Sequence, residues 1–257
     1  MPVQRGHGII LKVVDFGESD RIVVFFTREF GLLRGFAKGA RKSIKRFGNC
    51  LSLFRYVRFH FVERKGSDLV RIDHCDLLKS FDAISLDLVK IVYGSYLVEI
   101  MSAFLGERQQ ESGALRTILH AFGLLEREAP KEQILRMFEA RIFKELGLMP
   151  QFGACVRCGK ESAMTKTLQF SAAEGGVLCE KCRTGREGLI PLTIGTAKIL
   201  DHTMRVDLDR LGRLGFSARS LKESRQVMQS FLRYRTGREP RSLRFMSEVR
   251  AGGYPWP

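Results

Sequence analysis

Two CxxC motifs constrain the fold of this chain more than any other feature of its sequence. Cys155 and Cys158 form the first pair, Cys179 and Cys182 form the second, and twenty residues separate the two pairs. A two-residue gap lets one turn direct two thiolates at the same ion, and two such turns complete a tetrahedron. Because four thiolates leave no open position for water or substrate, the spacing predicts one structural Zn²⁺ ion.

The cysteines carry two alternative interpretations, a redox pair and a disulfide framework. Redox use favours a single CxxC after a strand, and disulfides favour a secreted chain; the sequence shows neither context. Cys50 and Cys75 have no partners at ligand spacing, so we expect them to be buried thiols. Residues 151–188 hold few apolar side chains, so we expect a small inserted module that depends on its metal for stability.

The first eighty residues show the pattern of a small β-barrel. Short apolar runs alternate with glycine or charged breaks, which predicts five strands over residues 7–14, 21–27, 32–37, 54–62 and 69–77. This number of strands suits an OB-type barrel, and the count alone also fits an SH3-like one. In the fourth strand we predict that Arg55, Val57, Phe59 and Phe61 form the core face, because they share one side of an extended chain.

Helical periodicity replaces this alternation after residue 80. Apolar residues recur every four positions from Leu88 to Phe104, and further helical stretches follow as far as Tyr234. We therefore predict the α+β class, in which a five-stranded OB-type β-barrel is followed by an α-helical domain with an inserted zinc module. The predicted boundaries are residues 1–80 for the OB-fold nucleic-acid-binding domain, 81–150 and 189–250 for the helical domain, and 151–188 for the zinc module.

The chain is strongly basic, and its charge is concentrated at its two ends. It carries 43 Lys and Arg against 28 Asp and Glu, a net charge of +15. Residues 1–80 and residues 183–257 each carry a net charge of +8, whereas residues 81–182 carry −1. Such a distribution attracts polyanions, of which nucleic acid is the first candidate, ahead of acidic protein tails and anionic membranes.

The densest basic segment lies inside the predicted barrel. Residues 30–62 contain no acidic side chain and eight Lys and Arg. A basic segment with glycines can follow a phosphate backbone, and aromatic rings beside it can stack on bases. We predict that six of its cations contact DNA: Arg34, Lys38, Arg41, Lys42, Lys45 and Arg46. The candidate stacking rings are Phe36, Phe47, Phe54 and Tyr56, most of which we expect in the core.

A second basic surface is predicted near the carboxy terminus. It consists of five arginines: Arg233, Arg235, Arg238, Arg241 and Arg244. These side chains would hold a second DNA strand or a protein partner. The alternative is a solvated helix face whose charge serves only solubility.

The sequence contains no recognisable catalytic motif. It lacks a P-loop, an HExxH motif and the HxE of a zinc deaminase, so we expect a protein that is not an enzyme. Acidic pairs such as Asp207 and Asp209 are typical of surface charge. No apolar run reaches the roughly 18 residues of a membrane span, and the first residues do not form a signal peptide. We therefore expect a cytoplasmic protein that does not contact membranes.

Four segments follow one another in a characteristic order: the basic stretch 38–48, the sequence 145–150, the two CxxC pairs and the closing stretch 234–243. In this order they resemble the RecO family of bacterial recombination mediators. The resemblance implies an OB-fold domain, a helical domain with a zinc module, and a role in DNA repair and DNA recombination after DNA damage. It implies a location in the cytoplasm, associated with the nucleoid.

The resemblance also implies an activity and a set of partners. Members of the family bind single- and double-stranded DNA, promote strand annealing, join RecR, engage the acidic C-terminal tail of single-strand-binding protein, and indirectly help to load RecA. A groove that combines arginine and apolar side chains on the helical domain is expected to take the acidic tail.

Three other functions stay open from the residues alone. OB barrels and zinc ribbons also occur in RNA-binding and translation-associated proteins, which competition between RNA and DNA would reveal. A nuclease would need clustered carboxylates and would show magnesium-dependent cleavage. A protein scaffold with a basic surface would bind DNA weakly at physiological salt.

Overall fold

The computed structural model describes residues 2–64, 66–165 and 167–253. The chain divides into two compact units, Met1–Glu128 and Ala129–Pro257. The first unit contains the predicted barrel together with the helices that follow it, and the second contains the cysteine pairs. The predicted domain boundaries after residues 80, 150 and 188 stay a prediction.

A closed five-stranded barrel forms most of the first unit, in the order β1-β2-β3-β5-β4. Its neighbours are antiparallel except β3 and β5, which pair in parallel. The predicted fold class, an OB-type barrel followed by helices, is confirmed. The strands are β1 Gln4–Phe16, β2 Asp20–Thr27, β3 Gly31–Ala37, β4 Arg55–Val62 and β5 Leu69–Ser80.

Alternation along β4 gives the barrel its core. Val57, Phe59 and Phe61 are fully buried, and the ring of Phe59 stacks on Phe25 at 4.0 Å between centroids. Arg55 differs from the other predicted core residues, because it opens the strand and its Nη2 pairs with the Asp82 carboxylate at 2.7 Å. The predicted core face is therefore apolar along the strand and ionic at its first residue.

Helices cover one side of the barrel within the first unit. Phe54, directly before β4, and Phe81, directly after β5, both pack edge-on against Phe122, at 5.6 and 5.3 Å between ring centroids. The Asp87 side chain caps the longest of these helices by accepting a hydrogen bond from the Lys90 N–H. The short helix α1 Ile44–Phe47 lies between β3 and β4, and the others are α2 Asp82–Ser85, α3 Leu88–Phe104 and α4 Ser112–Arg127.

The second unit combines helices with a small sheet of order β7-β6-β8. Phe170 of the sheet packs against Phe231, which also packs against Phe143, so the sheet and the helices share one core. The strands are β6 Leu168–Ser171, β7 Gly176–Cys179 and β8 Ile190–Leu192. The helices are α5 Glu132–Glu145, α6 Ile194–Arg205, α7 Leu208–Leu211, α8 Ala218–Thr236 and α9 Arg241–Ala251. Among the residues described, no helix has the length and apolarity that crossing a membrane requires.

Candidate nucleic-acid interface and metal centre

The basic segment, which we call the basic loop, covers residues 38–46: a compact turn after β3 and the first three residues of α1. Its backbone is held by the neighbouring β1–β2 turn: the Gly39 N–H donates to Asp20 Oδ1 at 2.7 Å, and the Arg41 N–H donates to the Ser19 carbonyl at 2.9 Å. Gly39 has a φ of 66°, a left-handed conformation that strains other residues. The loop therefore presents its side chains from a fixed backbone.

The predicted DNA-contacting residues are all exposed, but their ionic surroundings differ. Lys38, Lys42 and Lys45 form no ion pair within the described part of the chain. Arg41 lies with its Nε 3.8 Å from Asp15 Oδ2, a carboxylate that also accepts a hydrogen bond from Arg21. The three lysines are consequently the cations most available to a phosphate backbone.

Arg34 and Arg46 are engaged by the protein itself. Arg34 Nη2 lies 3.0 Å from a carboxylate oxygen of Glu107, so part of its charge is neutralised. Arg46 donates from Nη2 to the Lys38 carbonyl at 2.7 Å and from Nε to Ser43 Oγ at 3.1 Å. The Arg46 side chain thus holds the basic loop in shape, and the structure gives it a positioning role.

Aromatic side chains near the loop divide into buried and accessible ones. Phe47 and Phe54 are buried, while Phe36 and Tyr56 are partly buried. Phe16, which sequence reasoning missed, ends β1 with 54% of its surface exposed, and its ring packs edge-on against Phe36 at 5.9 Å. Its position as the last residue of β1, directly before Gly17, was the available signal, since a strand end leaves a ring uncovered.

The second predicted basic set lies on the end of α8, the following turn and the start of α9, and all five arginines are exposed. Arg233 pairs with Glu239 at 3.1 Å, and Arg244 pairs with Glu248 at 2.9 Å. Arg235 lies 4.9 Å from the centre of the Phe231 ring. This surface therefore carries less unbalanced charge than its five arginines suggest.

The four cysteines of the CxxC pairs converge in the second unit. Their sulfur atoms all lie within 4.8 Å of one another, and Cys158 Sγ is 3.7 Å from Cys179 Sγ. Sulfurs bound to a tetrahedral zinc ion at about 2.3 Å lie about 3.8 Å apart. Gly159 follows the first pair with a φ of 72°, and its N–H closes the turn onto the Cys155 carbonyl. The cluster is compatible with a zinc site.

Hydrogen bonds and burial shift the pKa values of the thiols in the cluster in different directions. Burial raises the pKa of the Cys155 thiol, but N–H groups of the Cys179, Cys158 and Arg157 backbones outweigh it and hold that pKa at about 6. The neighbouring Cys158 and Cys179 side chains raise the pKa of Cys182 to about 12. Four thiolates this close repel one another, so full ionisation requires a bound positive ion.

An ionic bridge joins the two cysteine turns. The Glu174 carboxylate accepts from Arg157, between Cys155 and Cys158, at 2.5 Å and from Arg186, after Cys182, at 2.6 Å. Hydrogen bonds from these arginines lower the pKa of Glu174 to about 2. Arg186 also donates to the Cys182 carbonyl. This support lay outside sequence reasoning, because the spacing of these charges matches no motif.

The other two cysteines lie in the barrel and are buried, as predicted. The Cys50 thiol donates to the Cys75 carbonyl at 3.4 Å. Burial raises the pKa of both thiols, which keeps them protonated.

Comparison with known proteins matches both parts of the chain to one family. The family model described as "Recombination protein O N terminal" matches residues 1–81, and "Recombination protein O C terminal" matches residues 85–244. A protein named DNA repair protein RecO from Anaeromyxobacter dehalogenans (strain 2CP-C) is 33% identical over 94% of this chain and 95% of its own. One of the same name from Symbiobacterium thermophilum is 32% identical over 98% and 99%.

Proposed function

Because this chain belongs to the RecO family of DNA repair proteins, we propose that it is a non-enzymatic recombination mediator that binds single- and double-stranded DNA and promotes strand annealing. It works in the bacterial cytoplasm on nucleoid DNA. RecR and the acidic C-terminal tail of single-strand-binding protein are its partners, and RecA loading is the outcome of their joint action.

The observation that carries this proposal is the exposed basic loop beside an exposed aromatic ring. Lys38, Lys42 and Lys45, which form no ion pair with any residue that the structure describes, project from a loop whose backbone is fixed by hydrogen bonds to the β1–β2 turn. Phe16 precedes that turn. Cations that follow a backbone, with a ring on which a base can stack, are the parts of a single-strand binding surface.

Annealing requires no covalent chemistry, so the protein has only to lower the repulsion between two phosphate chains while base edges stay free. The basic loop supports the binding of one strand. The carboxy-terminal arginines support contact with another strand or with a protein, more weakly, because Arg233 and Arg244 are paired with glutamates. The proposal needs no catalytic residue.

One structural Zn²⁺ ion completes the proposal, held by Cys155, Cys158, Cys179 and Cys182. The sulfur separation of 3.7 Å and the placement of all four sulfur atoms within 4.8 Å of one another support it. When bound, the ion supplies fixed geometry and positive charge, with no position left open for substrate. The Glu174 bridge between Arg157 and Arg186 keeps the two cysteine turns together around it.

A cavity of about 340 Å³ in the second unit supports binding of the acidic tail. Its lining combines the guanidinium groups of Arg225 and Arg244 with the apolar side chains of Leu243 and Met246. An acidic peptide that ends in apolar side chains needs both kinds of contact. Glu132 and Glu239 also line this cavity, and Glu132 pairs with Arg225, so the tail would have to displace or share that pair.

Strand annealing on DNA coated with single-strand-binding protein tests the function as a whole. We expect the protein to accelerate pairing of complementary coated strands, and to lose this effect when the coating protein lacks its acidic tail. The matched control is annealing of bare strands, which should not depend on the tail. No acceleration on either substrate, preference for RNA over DNA in competition, or magnesium-dependent cleavage of DNA would contradict the proposal.

Phe16→Ala is expected to lower the affinity for single-stranded DNA roughly tenfold, because stacking contributes about 1–3 kcal/mol per base. Affinity for double-stranded DNA should stay unchanged, since paired bases do not offer their faces. Phe16→Trp should restore binding. The measurement is fluorescence anisotropy, with Leu86→Ala, an exposed apolar residue of the same unit, as control. Equal losses on both DNA forms would exclude stacking by Phe16.

A further inference from the structure

We propose that the barrel carries a second metal site, formed by His60, His74 and Asp76, for a late first-row divalent cation such as Zn²⁺. These residues lie on strands β4 and β5 of the barrel, in the unit that does not contain the cysteine pairs. One nitrogen or oxygen atom of each lies within 4.8 Å of the others. The site is independent of the proposed DNA function.

Strand pairing brings the three side chains together. His60 of β4 is directly opposite His74 of β5 in the antiparallel register. Asp76 follows His74 by two residues, so both side chains leave the same face of β5, while Cys75 between them points into the core. Two ligands two residues apart on one strand, with a third across from them, place three donors around one point.

The side chains of the cluster form a hydrogen bond and a ring stack that an ion would have to replace. His60 Nε2 lies 2.8 Å from Asp76 Oδ2, and the His60 and His74 rings stack with centroids 3.8 Å apart. Donors around a tetrahedral ion with bonds of about 2.1 Å lie about 3.4 Å apart. Nearly parallel imidazoles direct their in-plane nitrogen lone pairs side by side, so the His74 ring has to turn out of the stack before both rings face one ion. The ion also has to replace the proton between His60 and Asp76, and the two atoms have to separate by about half an ångström.

The donor set decides which cations fit. Two imidazoles and one carboxylate suit Zn²⁺, Ni²⁺ or Cu²⁺, whereas Mg²⁺ and Ca²⁺ prefer oxygen ligands alone. His60 is almost buried, with 9% of its side chain exposed, which limits its freedom and reduces the entropy lost on binding. His74 has no hydrogen-bond partner among the described residues, so a metal ion would not have to displace one.

A neighbouring cation modifies the site. Arg58 Nη1 lies 3.9 Å from Asp76 Oδ2, and Arg58 Nε donates to His7 Nε2 at 3.1 Å. The guanidinium attracts the Asp76 carboxylate and competes with an ion for it. Three protein ligands leave one position open, so water or an anionic oxygen completes the tetrahedron. An ion here would link β4 to β5 and add positive charge to the barrel surface.

Metal content of the full-length protein tests this site. We expect zinc-equilibrated protein, freed of loose metal by gel filtration, to contain two Zn²⁺ per chain by mass spectrometry, one of them on the cysteine cluster. His74→Ala should contain one, and so should Asp76→Asn. In the cobalt-substituted protein, only cobalt on the cysteine cluster gives thiolate charge-transfer absorption. His74→Ala should keep these charge-transfer bands and lose only the other cobalt absorption.

The matched control is His202→Ala, which removes an exposed histidine of the other unit and should keep two ions. Circular dichroism of each variant establishes that the barrel is folded. An unmutated protein that binds a single ion, or a His74→Ala variant that still binds two, would overturn the second site. Loss of metal from the cysteines alone, as in Cys158→Ala, should leave the barrel ion in place, so the two sites are distinguishable.

Discussion

Replacing Lys38, Lys42 and Lys45 together with alanine is expected to weaken single-stranded DNA binding about a hundredfold at 0.1 M monovalent salt. Each phosphate contact contributes about 0.7 to the slope of log affinity against log salt. Three contacts therefore increase the affinity for single-stranded DNA by about two orders of magnitude when the salt concentration falls from 1 M to 0.1 M. These lysines are chosen because none of them forms an ion pair in the described structure.

The measurement is a salt titration of binding to a single-stranded oligonucleotide. We expect the slope to become shallower by about 2 in the triple variant. Replacing Lys131, Lys198 and Lys222, which are exposed in the second unit, removes the same net charge and is the matched control. If the two triple variants lose equal affinity, overall charge governs binding, and the basic loop is not the binding surface.

Single substitutions within the basic loop should differ in a way the sequence does not reveal. Arg41→Ala should cost less affinity than Lys42→Ala, because Asp15 already neutralises part of the Arg41 charge. Arg46→Ala should alter the loop itself, since Arg46 donates hydrogen bonds to Lys38 and Ser43. From sequence alone the six cations are equivalent.

Local sequence patterns predict much of the observed fold. The burial of Val57, Phe59 and Phe61 follows from two-residue alternation, because neighbouring side chains in a strand leave opposite faces. Helix α9 lies almost entirely within the span 189–250 that is predicted to be helical, but the sequence does not give its bounds, because its few buried residues such as Leu243 and Met246 make a weak stripe.

The candidate sites differ in the same way: local spacing predicts some of their contacts, and only tertiary folding creates the others. The CxxC spacing carries its own geometry, so the convergence of Cys155 and Cys179 could be predicted. The carboxylates of Asp15 and Glu107 reach the predicted DNA-contacting arginines only through tertiary folding, and no spacing rule relates them. His60 and His74 are likewise separated in sequence, and only the register of β4 and β5 makes them neighbours.

Removing the zinc ion that we propose is expected to lower the midpoint of thermal unfolding of the second unit by at least about 10 °C. Structural zinc sites contribute many kcal/mol to the folded state, and each kcal/mol shifts the midpoint of a domain of this size by about 3–6 °C. The first unit should keep its midpoint, because the cysteine cluster belongs to the second unit.

The Cys158→Ala variant separates the contribution of the metal to stability from the contribution of side-chain packing. Cys158 is exposed, so its replacement removes a ligand with little loss of core, and Lys181→Ala, between the other two ligands, is the matched control. We expect limited proteolysis of the cysteine variant to cut first in residues 153–188, with Phe170 and its neighbours protected longer because that ring packs against Phe231.

Because the sheet and the helices share one core, loss of the ion should lower the stability of more than the cysteine turns. Were the module a separate fold, loss of its ion would unfold residues 151–188 and leave the helices intact. Because Phe170 contacts both Phe152 and Phe231, loosening of the cysteine turns should also lower the stability of α8. Calorimetry of Cys158→Ala should therefore show one lowered transition for the whole second unit. An unchanged midpoint together with complete loss of zinc would contradict a structural role for the ion.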